Sequence, residues 1–529
     1  MRNAIGIFVA TCLVVVLSWW WRGQPVPMPD PGLASGDRLD CLSYAPFRDG
    51  QTPLDPTTVI PPAQIEEDLA RLALLTGCVR IYSVDMGLDR VPELAARHNL
   101  QVLLGIWISG ESRRNREQIA AAVALANRHP DTVRAVIVGN EVLLRGEQSA
   151  QSLQHHIATV RSQVRVPVTY ADVWEFWLRN RELATAVDFV TIHILPYWED
   201  IPIGSAHAAA HIASIRARVA AEFPGKDILI GEAGWPSRGR MREGARPSPV
   251  DQARVLHDLL AASRAERFRV NFIEALDQPW KRHLEGTVGG YWGLLTTGRQ
   301  PKFAWGRPVT NYPLWPWQAA GGVVLVALVF VIGLRGRPGL GDPALLPLAA
   351  VGVCAGALAG EAVQASLLEG LGPAGWIRAA LQSAVALVCP LAAAAAVARR
   401  LPLPAIQHVI GPPARRRRDP VSRLAGAGLV ATCLVAVEAA LGLVFNPRYL
   451  DFPYAALTSA SLPFLVASLF AGLQAGRPQA SEAAIAVALA LSALFIAWNE
   501  TLANWQALWL AAALLLLSFT LARARAAPG

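Results

Sequence analysis

The sequence predicts a (β/α)8 barrel followed by an all-α region of membrane-spanning helices. The chain has 529 residues, of which 53% are hydrophobic and only 17% are charged, and its mean hydropathy is +0.32. This composition is too apolar for an ordinary soluble protein, and the length exceeds that of one domain. Strand-like and helix-like runs alternate from about 40 to 310, and long apolar runs fill the rest. The predicted fold class is therefore α/β for the part from about 40 to 310 and all-α for the region after it.

The first segment is an apolar run, "AIGIFVATCLVVVLSWWW" (4 to 21), which follows a single arginine. It is long enough to span a bilayer and lacks a small-x-small cleavage site, so an uncleaved signal anchor is favoured over a signal peptide. The proline-rich "QPVPMPDPG" that comes next suits a semi-rigid, extended stalk. Residues 1–34 are thus predicted to be an anchor with its stalk, and a folded domain is expected from Ser35 onwards.

The folded domain, predicted over 35–312, contains eight strand-like runs separated by helical stretches. The runs are "CLSYA" (41 to 45), "VRIYS" (79 to 83), "VLLGIW" (102 to 107), "RAVIVGN" (134 to 140), "VPVTYADV" (166 to 173), "DFVTIHIL" (188 to 195), "DILIGEA" (227 to 233) and "VNFIEALD" (270 to 277). Eight strands with intervening helices, in a length close to about 250 residues, match a (β/α)8 barrel. A doubly wound sheet is the alternative, because one sequence cannot show that the sheet closes.

Two of the six cysteines, Cys41 and Cys78, lie outside the apolar runs, and each begins a predicted strand. No CxxC or Cys/His ligand spacing is present, which argues against structural zinc. A disulfide between the two would require an oxidising compartment. Neighbouring parallel strands rarely offer the Cα spacing for such a bond, so the sequence leaves the pairing open.

The last domain, predicted over 313–529, consists of apolar runs that are each near the ~20 residues a bilayer core requires. About seven are present, at 317–334, 343–360, 377–398, 424–445, 455–474, 482–498 and 504–522. The arginines flank one side of these runs, at Arg335 and Arg337, Arg399 and Arg400, Arg415 to Arg418, and Arg523 and Arg525. Basic clusters mark the cytoplasmic side, so the barrel is predicted on the extracytoplasmic side of a multi-pass cell (inner) membrane protein.

The formal net charge of +8 belongs to those arginine clusters, so the predicted partner is the lipid bilayer and no nucleic acid is expected. The run from Arg415 to Arg418 could alternatively bind an anionic lipid.

Glu438, within an apolar run, marks either a polar path or a glutamate held by a neighbouring helix. His207 and His211 are one helical turn apart but have no third ligand in the sequence, and no nucleotide fingerprint occurs, so neither metal nor cofactor is expected.

Candidate chemistry lies where two predicted strands end. "VIVGNEV" ends the fourth strand with Asn140 and Glu141, and "ILIGEAGW" ends the seventh with Glu232. Side chains at the carboxyl ends of barrel strands point into the catalytic cavity. Two facing acids are what glycosidic bond cleavage requires, one to protonate the leaving oxygen and one to attack the anomeric carbon. A nearby donor such as Tyr197 is expected to keep Glu232 ionised.

The set "VRIYS", "VGNEV", "LPYW", "GEAGWPS" and "EALDQPWK" resembles glycoside hydrolase family 17, the β-1,3-glucanases and β-1,3-glucanosyltransferases. The resemblance covers the barrel, about half of the chain. It implies that Glu141 is the general acid/base and Glu232 the nucleophile of a retaining enzyme. It also implies further site residues: Tyr82 and Tyr197 lining the reacting sugar site, and Glu274, Asp277 and Lys281 as a network beside the nucleophile. Gln278 and His193 depart from the residues commonest in the family at these positions, which bears on the pH optimum.

The whole architecture is similar to bacterial envelope proteins known as β-(1,6)-glucan synthases or β-(1,3)-glucan transglycosylases. The predicted substrate is a β-glucan polysaccharide or oligosaccharide, with a glucan synthase or export system as a further partner. Transfer and hydrolysis share one covalent intermediate and differ in whether a sugar hydroxyl or water resolves it. A glucan-binding sensor or export partner without catalysis is the alternative class, but it would need no acid pair.

Sugar rings present C–H faces that stack on aromatic side chains. Trp198, Trp235 and Trp280 lie near predicted strand ends or in loops and are the predicted glucan contacts. Packing in the core is the alternative for each of them, because Trp is often highly buried.

Overall fold

The computed structural model describes residues 2–34, 36–335, 342–411, 419–472 and 479–523. The chain divides into two compact units. The helical unit comprises Met1–Pro25, Arg240–Glu243 and Thr310–Gly529, and the barrel unit comprises Val26–Gly239 and Gly244–Val309. Ser35, where the sequence predicts the folded domain to begin, and the arginines at 337, 415 to 418 and 525 lie outside the described residues.

Eight parallel strands close into a barrel in chain order. They are β1 (Cys41–Ser43), β2 (Cys78–Ile81), β3 (Gln101–Ile106), β4 (Val133–Asn140), β5 (Val168–Val173), β6 (Val190–His193), β7 (Ile228–Ala233) and β8 (Arg269–Phe272). The last strand pairs in parallel with the first, through Leu42 opposite Phe272. This closure confirms the predicted barrel and excludes the doubly wound sheet. Each observed strand overlaps the run predicted for it.

The described residues also form α-helices along the whole chain. In order these are α1 (Arg2–Arg22), α2 (Pro62–Leu72), α3 (Val91–Arg97), α4 (Ser112–Arg128), α5 (Ala150–Arg161), α6 (Trp174–Arg179), α7 (Ser205–Glu222), α8 (Pro249–Ala265), α9 (Arg282–Glu285), α10 (Trp315–Arg335), α11 (Leu345–Glu369), α12 (Gly372–Ala398), α13 (Gln407–Ile410), α14 (Pro420–Phe445), α15 (Tyr454–Ala471), α16 (Ala480–Asn499) and α17 (Trp505–Arg523). Sequence chemistry fixes several starts. Ser149 and Ser248 each accept a backbone hydrogen bond at the N-terminus of α5 and α8, respectively.

The interior of the barrel changes from apolar to polar along the strands. Alternate residues of a strand point to the same face, and on β2 and just beyond it Cys78, Arg80 and Tyr82 are such a series. Cys78 belongs to an apolar cluster with residues such as Leu103 and Phe189. Arg80 is 1% exposed, and Tyr82 hydrogen-bonds to the seventh strand's Glu232. The closed end of the barrel is therefore packed with apolar side chains, and the charged side chains lie nearer the open end.

Cys41 and Cys78 form a disulfide in that apolar end, with their Cα atoms 4.4 Å apart. The sequence left this pairing open because parallel neighbours rarely come close enough. Here Leu42 pairs with Val79, so the two cysteines that precede them lie side by side. Their Cα spacing is within the range that a disulfide accepts. The bond joins the first two strands of the barrel.

The proline-rich segment is attached to the barrel at two of its residues. Val26 forms an antiparallel bridge with Val309, and Val26 and Met28 pack against an apolar cluster that includes Val250 and Ala253 of α8. The segment predicted to be a semi-rigid, extended stalk thus packs on the barrel at these residues, because apolar side chains between the prolines gain more by packing than by remaining in water.

In the helical unit, α1, α10, α11, α12, α14, α15, α16 and α17 are long and apolar enough to cross a membrane. Their positions agree with the predicted anchor and apolar runs. Glycines allow α1, α10 and α11 to approach closely, because a Cβ on Gly356 would lie 2.8 Å from a methyl group of Val15 and 3.0 Å from the carbonyl oxygen of Gly322. Glu438 of α14 pairs with Arg378 of α12 at 2.9 Å, so its partner lies on a neighbouring helix.

Candidate active site

Five side chains from β2, β4, β6 and β7 converge in the barrel, near the carboxyl ends of the strands. They are Arg80, Asn140, Glu141, His193 and Glu232. A carboxylate oxygen of Glu141, a carboxylate oxygen of Glu232 and a ring nitrogen of His193 all lie within 4.8 Å of one another. The two acids predicted from the sequence are therefore neighbours in space.

Glu141 is the more accessible of the two acids, with 23% of its side chain exposed against 6% for Glu232. Its backbone has a φ of +54°, a left-handed conformation, and Gly139, two residues earlier, has a φ of +91°. A Cβ on Gly139 would also lie 2.6 Å from Val142, so only glycine fits there. Left-handed backbone at a residue other than glycine costs about 1–3 kcal/mol and clusters at functional sites.

Glu232 accepts two hydrogen bonds on the same oxygen, Oε1. Tyr82 donates from 2.8 Å, and Arg80 donates from 3.2 Å. Burial and the charge of Glu232 raise the pKa of Tyr82 well above its ordinary value, so its hydroxyl remains a donor. The sequence proposed Tyr197 as a donor beside Glu232, and the structure adds Tyr82 and Arg80 as donors to this carboxylate.

Glu141 accepts a hydrogen bond at Oε1 from Nδ1 of His193, 2.9 Å away. Burial acts to raise the pKa of Glu141. The hydrogen bond from His193 and the charges of His193, Arg80 and Arg145 act in the opposite direction and outweigh it, so the pKa of Glu141 lies below its ordinary value. The structure thus favours the carboxylate form of Glu141.

The network predicted beside the nucleophile divides into two ion pairs. Lys281 contacts Glu274 at 2.8 Å, whereas Asp277 pairs with Lys302 at 2.6 Å and accepts a backbone hydrogen bond from Gly293. Burial raises the pKa of Glu274 to about 7, against the lowering effect of Lys281. Among the residues that the structure describes, the buried Oε2 atom of Glu274 has no hydrogen-bond partner, so no contact there offsets the desolvation.

The predicted aromatic contacts differ in exposure. Trp235 and Tyr197 have no accessible surface; they meet edge to face in a buried cluster with Trp292, and Trp235 donates to the carbonyl of Arg246. Neither ring therefore offers a face for stacking in this structure, and their place at the sugar site stays a prediction. Trp198 and Trp280 are only partly buried.

Gln278 explains the orientation of Trp280. Its amide nitrogen donates to the carbonyl of Ala45 at 2.8 Å, and its amide oxygen accepts from Nε1 of Trp280 at 2.9 Å. A carboxylate could not donate to Ala45. Glutamine at this position therefore ties the loop after β8 to the segment after β1 and holds the indole of Trp280.

Arg80 and Lys302 are site residues that the sequence reasoning missed. Arg80 stands inside the quoted run "VRIYS", two residues before Tyr82. A charged residue on the inward face of a strand was the available signal, because strand alternation places 80 and 82 on one face. Lys302 lies far from every motif and carried no signal in the sequence.

Glu141, His193 and Glu232 also form the one group of His, Cys, Asp or Glu side chains, within the part of the chain that the structure describes, whose spacing suits a metal ion. The guanidinium of Arg80 already occupies this position. Its Nη1 atom lies 3.2 Å from Glu232 and 3.3 Å from His193. The three side chains therefore suit the guanidinium of Arg80 better than a metal ion.

Residues 41–293 match the family profile described as the BtgE/BtgC glycoside hydrolase domain. This chain is an enzyme that acts on glycosidic bonds. The glucan 1,3-β-glucosidase of Schizosaccharomyces pombe is 29% identical over 258 residues, which are 45% of this chain and 78% of that protein. The glucan 1,3-β-glucosidase of Saccharomyces cerevisiae is 26% identical over 261 residues, covering 45% of the enzyme and 83% of that protein.

Among solved structures, the barrel of the enzyme is similar to Rhizomucor miehei β-1,3-glucanosyltransferase, an active-site mutant of which was solved in complex with laminaritriose. That structure is 24% identical with a TM-score of 0.45, over 52% of this chain and 97% of the other. The same transferase, described as glycoside hydrolase family 17, gives 25% identity and a TM-score of 0.44, over 50% and 95% of the two chains.

Proposed function

We propose that the enzyme is a retaining glycosidase of family 17 type that acts on β-1,3-glucan in the cell envelope, and that it works as a transglycosylase that elongates or branches glucan. The observation that carries the proposal is the pair of Glu141 and Glu232, which face each other with carboxylate oxygens within 4.8 Å. Retaining glycosidases hold their two carboxyl groups about 5–5.5 Å apart, whereas inverting enzymes need about 6.5–9.5 Å. The observed spacing supports the retaining class.

In the first step, Glu232 attacks the anomeric carbon and forms an ester bond to it, while the glycosidic C–O bond breaks. Glu141, which must be protonated to enter this step, gives its proton to the leaving oxygen. In the second step, an acceptor hydroxyl or a water molecule gives its proton to Glu141 and attacks the same carbon, and the ester bond breaks. Arg80 and Tyr82 stabilise the carboxylate of Glu232 before and after this cycle.

β-1,3-Glucan is the proposed substrate because relatives named glucan 1,3-β-glucosidase align over 78% and 83% of their own lengths. Trp198 and Trp280 keep part of their surface exposed in the loops after β6 and β8. We propose both as glucan contacts, since partly exposed indoles offer sugars a stacking face. An acceptor sugar held on such rings would compete with water for the intermediate, which favours transfer. Hydrolysis of β-1,3-glucan is the second candidate, and binding without catalysis the third.

The proposed location is a multi-pass cell (inner) membrane, with the barrel on the extracytoplasmic side. The Cys41–Cys78 disulfide supports an oxidising compartment for the barrel. If every long apolar helix crosses the bilayer, the arginines at the ends of α10, α12 and α17 fall on one side, as the positive-inside rule requires of cytoplasmic ends. A glucan synthase or export system is the proposed protein partner.

The test is the substitution Glu232→Gln in the full-length protein, incubated with a defined laminari-oligosaccharide. We expect at least a 10³-fold loss of product formation with binding retained, because the nucleophile is removed without a change in side-chain volume. Glu266→Gln is the matched control, since Glu266 is exposed at the end of α8. Unchanged turnover in the Glu232 variant would exclude the mechanism.

The same incubation with the parent enzyme separates the candidate functions. Products longer than the input indicate transfer, only shorter products indicate hydrolysis, and binding without any product indicates a glucan-binding protein. Proton NMR of the first product reports the anomeric configuration. A net inversion at that carbon would exclude the covalent intermediate.

A further inference from the structure

His193 lies between the two catalytic acids and has no accessible surface. Its Nδ1 atom is 2.9 Å from Oε1 of Glu141. Its Nε2 atom is 3.3 Å from Nη1 of Arg80 and 3.7 Å from Oε1 of Glu232. The imidazole therefore contacts both acids, and each ring nitrogen has a different kind of partner.

The contact on the Nδ1 side has a defined direction. A carboxylate can only accept hydrogen bonds, so the proton of this contact lies on Nδ1 and is donated to Glu141. On the other side of the ring, Nη1 of Arg80 donates to the carbonyl of Gly231 at 2.7 Å and to Oε1 of Glu232 at 3.2 Å. Arg80 therefore lies against Nε2 and holds the ring between the two acids.

We propose that His193 is a positioning residue, held in place beside Arg80, whose Nδ1–H biases the acid/base Glu141 towards its carboxylate form. This inference rests on the proposed function, because it concerns the group that resolves the glycosyl-enzyme. A hydrogen bond donated to a carboxylate favours the ionised form. The bias prepares Glu141 to take the proton of the acceptor hydroxyl.

Other charged groups face Glu141 and His193 from the surrounding elements. Arg80 of β2 and Arg145 of the loop after β4 favour the carboxylate of Glu141. Asp172 of β5, Glu232 of β7 and Glu285 of α9 are acidic and oppose it. Because cations and anions both surround the site, the direct hydrogen bond from His193 is the contact that substitution can remove while these surrounding groups stay in place.

The first experiment compares His193→Gln with His193→Asn by measuring kcat/KM of the full-length enzyme against pH. An asparagine amide can place its nitrogen near the Nδ1 position and keep the donor to Glu141, whereas a glutamine amide reaches towards the Nε2 position and loses it. The basic limb of kcat/KM reports the pKa of the general acid. His155→Asn is the control, since His155 is exposed on α5.

For His193→Gln we expect the basic limb to move to higher pH by about one unit, because a hydrogen bond to a charged group contributes about 1.5–3 kcal/mol. For His193→Asn we expect the limb to stay close to that of the parent enzyme. Equal losses of activity in both variants with unmoved limbs would overturn the inference and leave His193 a packing residue.

The second experiment needs no activity. Full-length enzyme labelled with [15N]histidine is titrated in detergent micelles, and the signal that is lost in His193→Asn is assigned to His193. At neutral pH we expect the Nδ1 chemical shift of a protonated nitrogen. A signal from a deprotonated Nδ1 at neutral pH would overturn the inference. If this spectrum is as expected and the parent forms no product from glucan, the proposed function fails and the hydrogen bond to Glu141 stands.

Discussion

Arg80 is the residue that connects the two halves of the site. Its guanidinium donates to Glu232, to Asn140 and to the carbonyl of Gly231, and it lies 4.7 Å above the ring of Tyr82. These contacts use the planar fork of the guanidinium, which lysine does not have. The orientation of Glu232 therefore depends on an arginine rather than on positive charge alone.

Arg80→Lys should lower kcat/KM by about 10²–10³-fold, the loss typical of removing one preorganised donor from a catalytic site. The charge is kept, but Asn140 and Glu232 lose the hydrogen bonds from the guanidinium, and Glu232 keeps only the one from Tyr82. Arg134→Lys is the matched control, since Arg134 is also on a strand but pairs with Asp40. Steady-state kinetics measure both, and parental kcat/KM in Arg80→Lys would contradict the role assigned to the fork.

Glu274 gives the enzyme a pH dependence of stability. Its pKa is raised from 4.5 to about 7, so folding favours its protonated form. That stabilisation is fully present below about pH 4.5 and is lost as pH rises through 7, with a total of at most about 3 kcal/mol. Glu274→Gln cannot titrate and should flatten this part of the stability curve.

Thermal unfolding of full-length protein at intervals between pH 4.5 and 7.5 tests this expectation. The slope of Tm against pH over this window should be smaller in Glu274→Gln than in the parent. Glu266→Gln, on the surface, should keep the parental slope. Identical slopes in all three proteins would mean that Glu274 does not titrate there.

The acids were predictable residue by residue, but their surroundings were not. Glu141 and Glu232 stand at strand ends in recognisable motifs, and strand order alone places them across one cavity. Trp235 and Tyr197 stand in equally suggestive positions, yet they pack inward with Trp292. Packing of an aromatic ring depends on long-range neighbours that local sequence does not reveal, and the pairing of Asp277 with Lys302 is missed for the same reason.

At the scale of elements, strand and helix positions followed the sequence closely because hydrophobic periodicity decides them. Closure of the sheet and the contact between Cys41 and Cys78 did not follow from periodicity. Both depend on register, since Leu42 lies opposite Val79 on one side and Phe272 on the other. Register is a property of strand pairs, which a single chain pattern does not contain.

Replacing both Cys41 and Cys78 by serine should destabilise the barrel by about 2–4 kcal/mol. The disulfide closes a loop over a sequence separation of 37 residues, and its loss increases the entropy of the unfolded chain. Denaturant unfolding followed by tryptophan fluorescence measures the change. A reductant should lower the stability of the parent and of the control Cys12→Ser, and should leave the double variant unchanged; any other pattern would argue against the bond.

At the scale of the whole molecule, α1 is an integral part of the helical unit. Arg22 at its end forms a salt bridge with Glu361 of α11, and Tyr312 and Tyr454 donate to the same carboxylate. Trp19 donates to the carbonyl of Gly356 at 2.9 Å. The sequence predicted a separate anchor, because an apolar run shows that a helix can span a membrane but not what it packs against.

Arg22→Ala should destabilise the helical unit by about 3–5 kcal/mol, the usual effect of leaving a buried charge without its partner. The double variant Arg22→Ala with Glu361→Gln should recover part of the lost stability, because the carboxylate that has lost its cation is then replaced by a neutral amide. Thermal unfolding in detergent measures both. A loss of stability in the double variant that exceeds the summed losses of the two single variants would contradict this account of the pair.

The bridge between Val26 and Val309 places the first and last residues of the barrel unit side by side, and Thr310 donates to the carbonyl of Gly23 at 2.9 Å. In sequence, the barrel unit is therefore inserted into the helical unit between positions 25 and 310, except that Arg240–Glu243 within this span belongs to the helical unit. The two ends of the inserted span are adjacent, so a short turn could join them. Exchanging the catalytic module would use this seam and would also have to keep or replace the segment Arg240–Glu243.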